Sequence, residues 1–502
     1  MNTIYKKIAK RSLQARILTG ISSLLEWDQE TYMPVGGSAI RGEQCKTIAG
    51  MIHRSMSCKS FGKHLGALID LKTGDILDLS LSWVEQANLR EWRRDYLKQT
   101  ALPSTFVEKF AKLTSEAQIA WREAKNRSEF SLFLPFLEKI VMLSRQKADL
   151  LGYRDHPYDA LLDLYEPELT VHDTETLFST IRETLRPVIQ QATLRQIDDA
   201  CIHGSFEEGQ QIAFAKQILS AIGFDTAYGR LDFSSHPFSS ASHPQDSRIT
   251  TRLHPTNILS GIFVVLHEAG HGLYEMGLPT KWYGTPAGDA RSLGVHESQS
   301  RFWETRIGQS RAFWSFFFPQ LQTLFPKQLG QVPFSDFYQA LHVVRPSFIR
   351  VEADELTYPM HVILRFEIEK QMIEGSLSPK DLPQCWSLGM QKHLGITPPN
   401  DQKGCLQDIH WSMGGFGYFP SYTLGNVYAA HLFEQFALFH PDWEQRVAQG
   451  QLRFIQDWLR ERIYRHGKTK SSLQLLQISE LSATPYLRYL EEKYTHSSYI
   501  VK

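Results

Sequence analysis

Apolar residues recur at helical spacing from Ile4 to about Glu30, and Met33-Pro34-Val35-Gly36-Gly37 ends that pattern, because a proline and two glycines stop a helix. A second helical run is expected from Ser38 to about Met56. Lys72 to Asn126 reads as two long helices with Leu, Trp, Phe and Ala on the apolar face and a break at Leu102-Pro103-Ser104. Ser104 followed by Glu108 is one residue off a capping box, so that start is placed loosely. Glu129 to Leu151, entered through Phe133-Leu134-Pro135, extends the series, as does Thr170 to Ala200 with Pro187 as a kink or boundary. Few stretches alternate as strands do, and neither an internal repeat nor a low-complexity segment is present.

The character changes between Gly229 and Leu259, where Ser, Pro and His accumulate. Ser247 to Leu253 alternates and is expected to form a short strand, against the plainer alternative of a solvated loop. As an edge strand it could hold a peptide backbone by strand addition. Ile262 to Met276 reads as one helix, followed by a long loop from Gly277 to Asp289 and another helix opening near Val295. Ile349 to His361 is a polar start to a helix that turns apolar; taken alone it is as readily a charged surface face as a site. Gly404 to Asn426 mixes Gly, aromatic and polar residues in the manner of a loop beside a site. Residues 427–502 return to amphipathic helices and end in a short polar tail.

Composition narrows the choices. With 502 residues, 42% of them hydrophobic, the chain can bury a large and continuous helical body. Its 54 basic and 54 acidic side chains leave no basic excess for nucleic acid. The basic start lacks the apolar core of a secretory signal, and no apolar stretch is long enough to span a bilayer, so no membrane partner is expected. Five scattered cysteines (Cys45, Cys58, Cys201, Cys385, Cys405) suggest reduced thiols in the cytoplasm.

The chemistry concentrates in His267-Glu268-Ala269-Gly270-His271. Positions i and i+4 share a helix face, so both imidazoles can bind one ion, and Glu268 can accept a proton from water beside it. The plain alternative, a buried helix that happens to carry two histidines, would bury imidazoles and a carboxylate without partners. A catalytic zinc needs a third ligand and an open position. Glu297 is the candidate, with His296, Gln299 and Arg301 as polar neighbours. Glu275 lies too near on the same helix, and Glu304 too far along its own if Glu297 reaches the metal.

With these stretches in hand, the sequence resembles the M32 family of metallocarboxypeptidases over nearly its whole length. The resemblance runs through Trp27 to Pro34, Arg41 to Gln44, His236-Pro237-Phe238, the set Asp246, Arg248 and Thr250, and His267 to His271. It continues through His296 to Gln299, Ile349 to Asp354 and Gly404 to Trp411. One departure stands just before His267. Phe263-Val264-Val265-Leu266 occupies the place of a Gly-Thr pair, which alters the packing behind the metal without removing a ligand.

The resemblance implies a mainly α, elongated, neurolysin-like zinc-peptidase fold with a deep groove and a small β-sheet beside the active site. It implies one peptidase domain, with 1–227 as a groove wall, 228–426 as the zinc-site region and 427–502 as C-terminal helices. It further implies a cytoplasmic homodimer with one Zn2+ per subunit, for which Co2+ could substitute. His267, His271 and Glu297 match the family's metal ligands and Glu268 its general base. Arg350 matches the position that holds a peptide's C-terminal carboxylate, His410 and Tyr422 match donors to the tetrahedral intermediate, and His236 and Arg248 are expected substrate contacts. The expected activity is removal of single C-terminal amino acids from peptides with broad specificity. The competing readings are a zinc oligopeptidase or endopeptidase of related fold and a catalytically silent peptide-binding scaffold.

Overall fold

A computed structural model describes residues 2–254 and 256–495. The polar tail expected at the C-terminus lies outside the described residues. Helices dominate, with one three-stranded sheet. The chain opens with a 29-residue helix, Thr3–Thr31, whose first amides are capped by the Asn2 side chain. After the break at Pro34 a short 3-10 turn leads directly into the helix Ser38–Ser57.

Lys72 to Ser82 departs from the helical expectation. The Asp70 carboxylate accepts the amides of Lys72 and Thr73, and Gly74 takes a φ of 85°, so local turn chemistry wins over apolar spacing. The next helix, Trp83–Ala101, starts on a capping box between Ser82 and Glu85. The break at Leu102-Pro103 is real, but Ser104 is the first residue of the helix Ser104–Arg127 and caps nothing. Glu129 to Leu151 splits into a 3-10 turn and the helix Leu134–Leu151. After the one-turn helix Asp159–Leu162, the helix Val171–Thr193 keeps Pro187 inside it and ends before Ala200.

Three strands follow: β1 (Gly229–Phe233), β2 (Ser239–His243) and β3 (Asp246–Thr251), in the spatial order β1-β3-β2. β3 pairs parallel with β1 and antiparallel with β2. The strand next to the motif is therefore central and has no free edge, which corrects the expectation of an edge strand; β1 and β2 form the two edges of this sheet. β3 instead serves as a backing for the motif helix, Ile258–Gly277. A Cβ at Gly272 would stand 3.1 Å from the Ile249 side chain and 2.9 Å from Phe224, so glycine sets how closely the two elements meet.

Apolar side chains form one large cluster from Ala117 to Tyr494 and a smaller one built on Tyr5, Phe61, Leu65, Leu89 and Trp92. Asn88 joins the small cluster to the loop after the motif helix. Its amide donates to the Tyr5 hydroxyl at 2.8 Å, and its oxygen accepts the Ala287 N–H at 2.7 Å. The N-terminal helix also reaches the sheet, where the Trp27 ring lies 4.4 Å from the Arg248 guanidinium and 5.0 Å from that of Arg230.

The capping assignments are directly testable. Ser82→Ala should lower stability by about 1 kcal/mol and speed hydrogen exchange in the first turn of Trp83–Ala101, whereas Ser104→Ala should stay within about 0.5 kcal/mol of the parent. Equal effects at both positions would contradict the assignment.

Candidate metal centre and carboxylate pocket

The motif helix is capped by Asn257, whose side-chain oxygen accepts the amides of Leu259 and Ser260. Its inner face meets the helix Leu293–Arg301 backbone to backbone. A Cβ at Gly270 would lie 2.5 Å from the Gln299 carbonyl oxygen, so only glycine permits this approach. The contact brings Glu297 opposite the two histidines. Glu297 Oε2 stands 3.6 Å from His267 Nε2 and 3.4 Å from His271 Nε2, and the three ligand atoms all lie within 4.8 Å of one another. Tetrahedral ligands about 2.1 Å from a shared ion would themselves be about 3.4 Å apart, close to both spacings from Glu297, so the donor types and these spacings suit a zinc-type cation. The third side of Glu297 is closed by Gly425 on the helix Pro420–Phe439, where a Cβ would fall 2.2 Å from Glu297 Cγ.

Each imidazole is oriented from behind. Glu304 Oε2 accepts from His267 Nδ1 at 2.8 Å, which fixes the ring with Nε2 turned toward Glu297. His271 Nδ1 lies 2.6 Å from His296 Nδ1, and His296 Nε2 lies 3.0 Å from Glu275 Oε1. Because the carboxylate can only accept, His296 donates through Nε2 and accepts through Nδ1. His271 therefore donates through Nδ1 and keeps its own Nε2 lone pair free. Glu275 and Glu304, poor ligands by their spacing, instead orient the ligand rings, Glu304 directly and Glu275 through His296. Glu304 reaches the far side of His267 from a π-helical segment, Phe302–Ile307, that re-aims the carboxylate after Arg301. Of the expected neighbours of Glu297, only Arg301 touches its carboxylate, with Nε on Oε1 at 2.9 Å. His296 serves His271, and Gln299 bonds to Ser298.

Electrostatics follow from burial. Desolvation acts against the Glu297 carboxylate, but His267 and Arg301 outweigh it and hold the acid well below its ordinary range. Glu268 is 7% exposed and lacks such compensation. Burial pushes its acid up to about 7, opposed by His267 and reinforced by Glu297 and Glu304. The bulky residues before the motif are accommodated. Leu266 is fully buried and fills the space over Gly308, where a Cβ would lie 2.6 Å from Leu266 Cδ1.

A second polar site adjoins the first. Arg350 is not on a helix as expected but on a 3-10 turn, Arg350–Glu352; the helix starts at Tyr358 and runs to Glu374. The reason is Asp354, whose carboxylate takes the amides of Leu356, Thr357 and Arg345 and so forms a turn of its own. Arg350 is 5% exposed. Its Nε and Nη2 donate to Asp408 Oδ1 at 3.1 and 2.9 Å, and Nη1 donates to the Tyr358 hydroxyl at 3.0 Å. Arg301 lies over the Tyr358 ring at 4.8 Å, so one tyrosine touches the cations of both sites.

Within Gly404 to Asn426 the expected loop holds only to Phe419. Pro420 begins a buried helix that carries Tyr422, whose hydroxyl lies 3.2 Å from His410 Nε2 and whose ring lies 4.6 Å from the Arg350 guanidinium. Burial pulls His410 down to about 4, so it is a neutral imidazole. His236 and Arg248 stand apart. His236 is exposed in the β1–β2 connection, and Arg248 is engaged by Asp246 and Trp27. Among the described residues, no hydrogen bond or ion pair joins either to His267, His271 or Glu297.

The chain is similar to known metallopeptidases over nearly its whole length. A family model described as carboxypeptidase Taq (M32) metallopeptidase matches residues 7–494. Thermostable carboxypeptidase 1 of Thermus thermophilus is 38% identical, with 98% of each chain covered. Carboxypeptidase 1 of Bacillus subtilis is 36% identical over 94% of each. The crystal structure of an M32 carboxypeptidase from Deinococcus radiodurans superposes with a TM-score of 0.95 at 34% identity, covering 99% of this chain and 100% of that one.

Gly425→Ala should displace Glu297, lower the metal bound per chain and destabilise by about 1–3 kcal/mol. Gly36→Ala, where a Cβ would meet nothing within 4 Å, is the control. Full metal content in Gly425→Ala by elemental analysis would contradict the packing described.

Proposed function

We propose that this chain, which belongs to the carboxypeptidase Taq (M32) family of metallopeptidases, removes single amino acids from the free C-termini of peptides. The observation that carries this reading is Arg350, a buried guanidinium tied through Tyr358 and Arg301 to the His-His-Glu group. A guanidinium has five N–H donors, and Asp408 and Tyr358 occupy three of those of Arg350. The two that remain sit on Nη1 and Nη2, the edge that binds a carboxylate in bidentate fashion. An oligopeptidase cutting internally would share the metal group but would have no use for that pocket.

His267, His271 and Glu297 are the residues that would hold one zinc ion per subunit, and cobalt would be accepted by the same donors. Zinc in that place supplies Lewis acidity, drawing electron density from the scissile carbonyl and making water more acidic. Glu268 accepts a proton as water adds to the carbonyl carbon, and returns it to the leaving nitrogen as the C–N bond breaks. Its buried environment keeps the acid near neutrality, where it can both take and give a proton. His410 and the Tyr422 hydroxyl donate to the oxygen that gains charge. His236 and Arg248 are read as contacts to substrate residues upstream of the cleaved bond; the family resemblance supports that reading.

We read residues 1–502 as one peptidase domain acting as a homodimer, again by resemblance. No described helix is long and apolar enough to cross a membrane, and five free cysteines support a cytoplasmic location.

Glu268→Gln should retain the parent's zinc per chain yet lose on the order of 10²–10⁴ in kcat on a peptide substrate. Turnover close to the parent with zinc in place would remove Glu268 from the mechanism.

A further inference from the structure

Arg350 is one member of a larger buried cluster. The carboxylate that orients it, Asp408, gives Oδ1 to Arg350 and Oδ2 to a second guanidinium, that of Arg365, at 2.7 Å from Nε and 2.5 Å from Nη2. Arg365 is 0% exposed, and its Nη1 donates to the His361 carbonyl at 2.8 Å. It belongs to the helix Tyr358–Glu374, on the same stripe as Tyr358, seven residues earlier, which accepts from Arg350. One turn on, Glu369 accepts from Trp411 Nε1 at 2.7 Å, from the Gly417 amide at 2.9 Å and from the Tyr158 hydroxyl. One helix face thus bolts down the segment carrying Asp408 and His410 at two points and holds Arg350 at a third.

We propose that Arg365 is the positioning residue of the carboxylate pocket: by keeping Asp408 Oδ2, it limits Asp408 to single-oxygen contact with Arg350 and leaves the cluster net positive for a peptide's terminal carboxylate. This rests on the carboxylate-binding role read for Arg350. Two guanidinia face one carboxylate, the Lys125 ammonium on the Gln407 carbonyl adds a further positive charge near Asp408, and neither neighbouring imidazole changes the balance. Burial holds both His361 and His410 below their ordinary range, the two guanidinia adding to the effect, so both are neutral. Glu369 is occupied by its own three donors, and burial pushes its acid up to about 7. Without Arg365, Asp408 would be free to turn both oxygens onto the Nε–Nη2 edge of Arg350 as a closed fork-to-fork pair. That pair would be neutral, and its attraction for an incoming anion would fall.

The test uses the zinc-loaded full chain and calorimetric binding of N-acetyl-leucine against its C-terminal amide. Arg365→Gln should weaken the free acid on the order of tenfold or more, with the amide and the zinc content unchanged. Arg365→Lys keeps the charge but can make only a single contact to Oδ2, so a smaller loss, about threefold, is expected. Equal losses for acid and amide, or no loss in whichever variant folds, would overturn the proposal. Arg350→Ala run in parallel separates the two ideas. If it leaves the preference for the free acid intact, the carboxylate pocket itself is misplaced. If it abolishes that preference while Arg365→Gln does not, only the positioning role fails.

Discussion

Two buried carboxylates, Glu297 and Glu304, share one guanidinium, that of Arg301, and the geometry of both sites depends on that sharing. Arg301 holds Glu297 at 2.9 Å and Glu304 at 3.1 Å, and its face rests on Tyr358. Removing it would leave His267 as the main counter-charge for two buried carboxylates, and breaking one buried pair alone costs about 3–5 kcal/mol. The consequence is geometric as much as energetic. Glu297 faces both histidines, Glu304 fixes the ring of one of them, and Tyr358 passes the position of the cluster on to Arg350. The distance between the bond-breaking group and the residue that would read the chain end is thus set by packed side chains, not by a mobile loop.

That network tolerates little change because its elements meet through glycines. Gly270 admits the neighbouring backbone, Gly425 admits the Glu297 side chain, and Gly272 admits β3. Each is a place where one added carbon would push a functional carboxylate or its support away. Where the chain carries extra bulk, at Leu266, a glycine on the facing element absorbs it. The motif helix is therefore located from three sides before any ion binds, which is the preorganisation a fixed coordination geometry needs.

What the amino-acid pattern revealed was whatever depends on local spacing. His267 and His271 are four apart on a strongly apolar helix, so their shared face follows from helical geometry alone. The roles of Glu275 and Glu304 do not, because they act on the far side of the imidazoles and one of them sits on a π-helical turn that no period announces. From local pattern alone Arg350 reads as readily as a charged surface face as a site, because its partners lie elsewhere in the chain, Asp408 being 58 residues away. The wrong helix at Lys72 and the wrong edge at β3 share a cause. Turn chemistry at Asp70 and the pairing partners of a strand are decided by contacts that apolar periodicity does not encode.

The central claim is that the metal group and the Arg350 pocket act together on a chain end. Its most direct test is a mass-spectrometric time course on one peptide prepared both as a free acid and as a C-terminal amide, with and without chelator. The account requires a ladder of products shortened one residue at a time from the free acid, an amide left essentially intact, and no products once the metal is removed. Internal fragments, or equal cleavage of the acid and the amide, would contradict it.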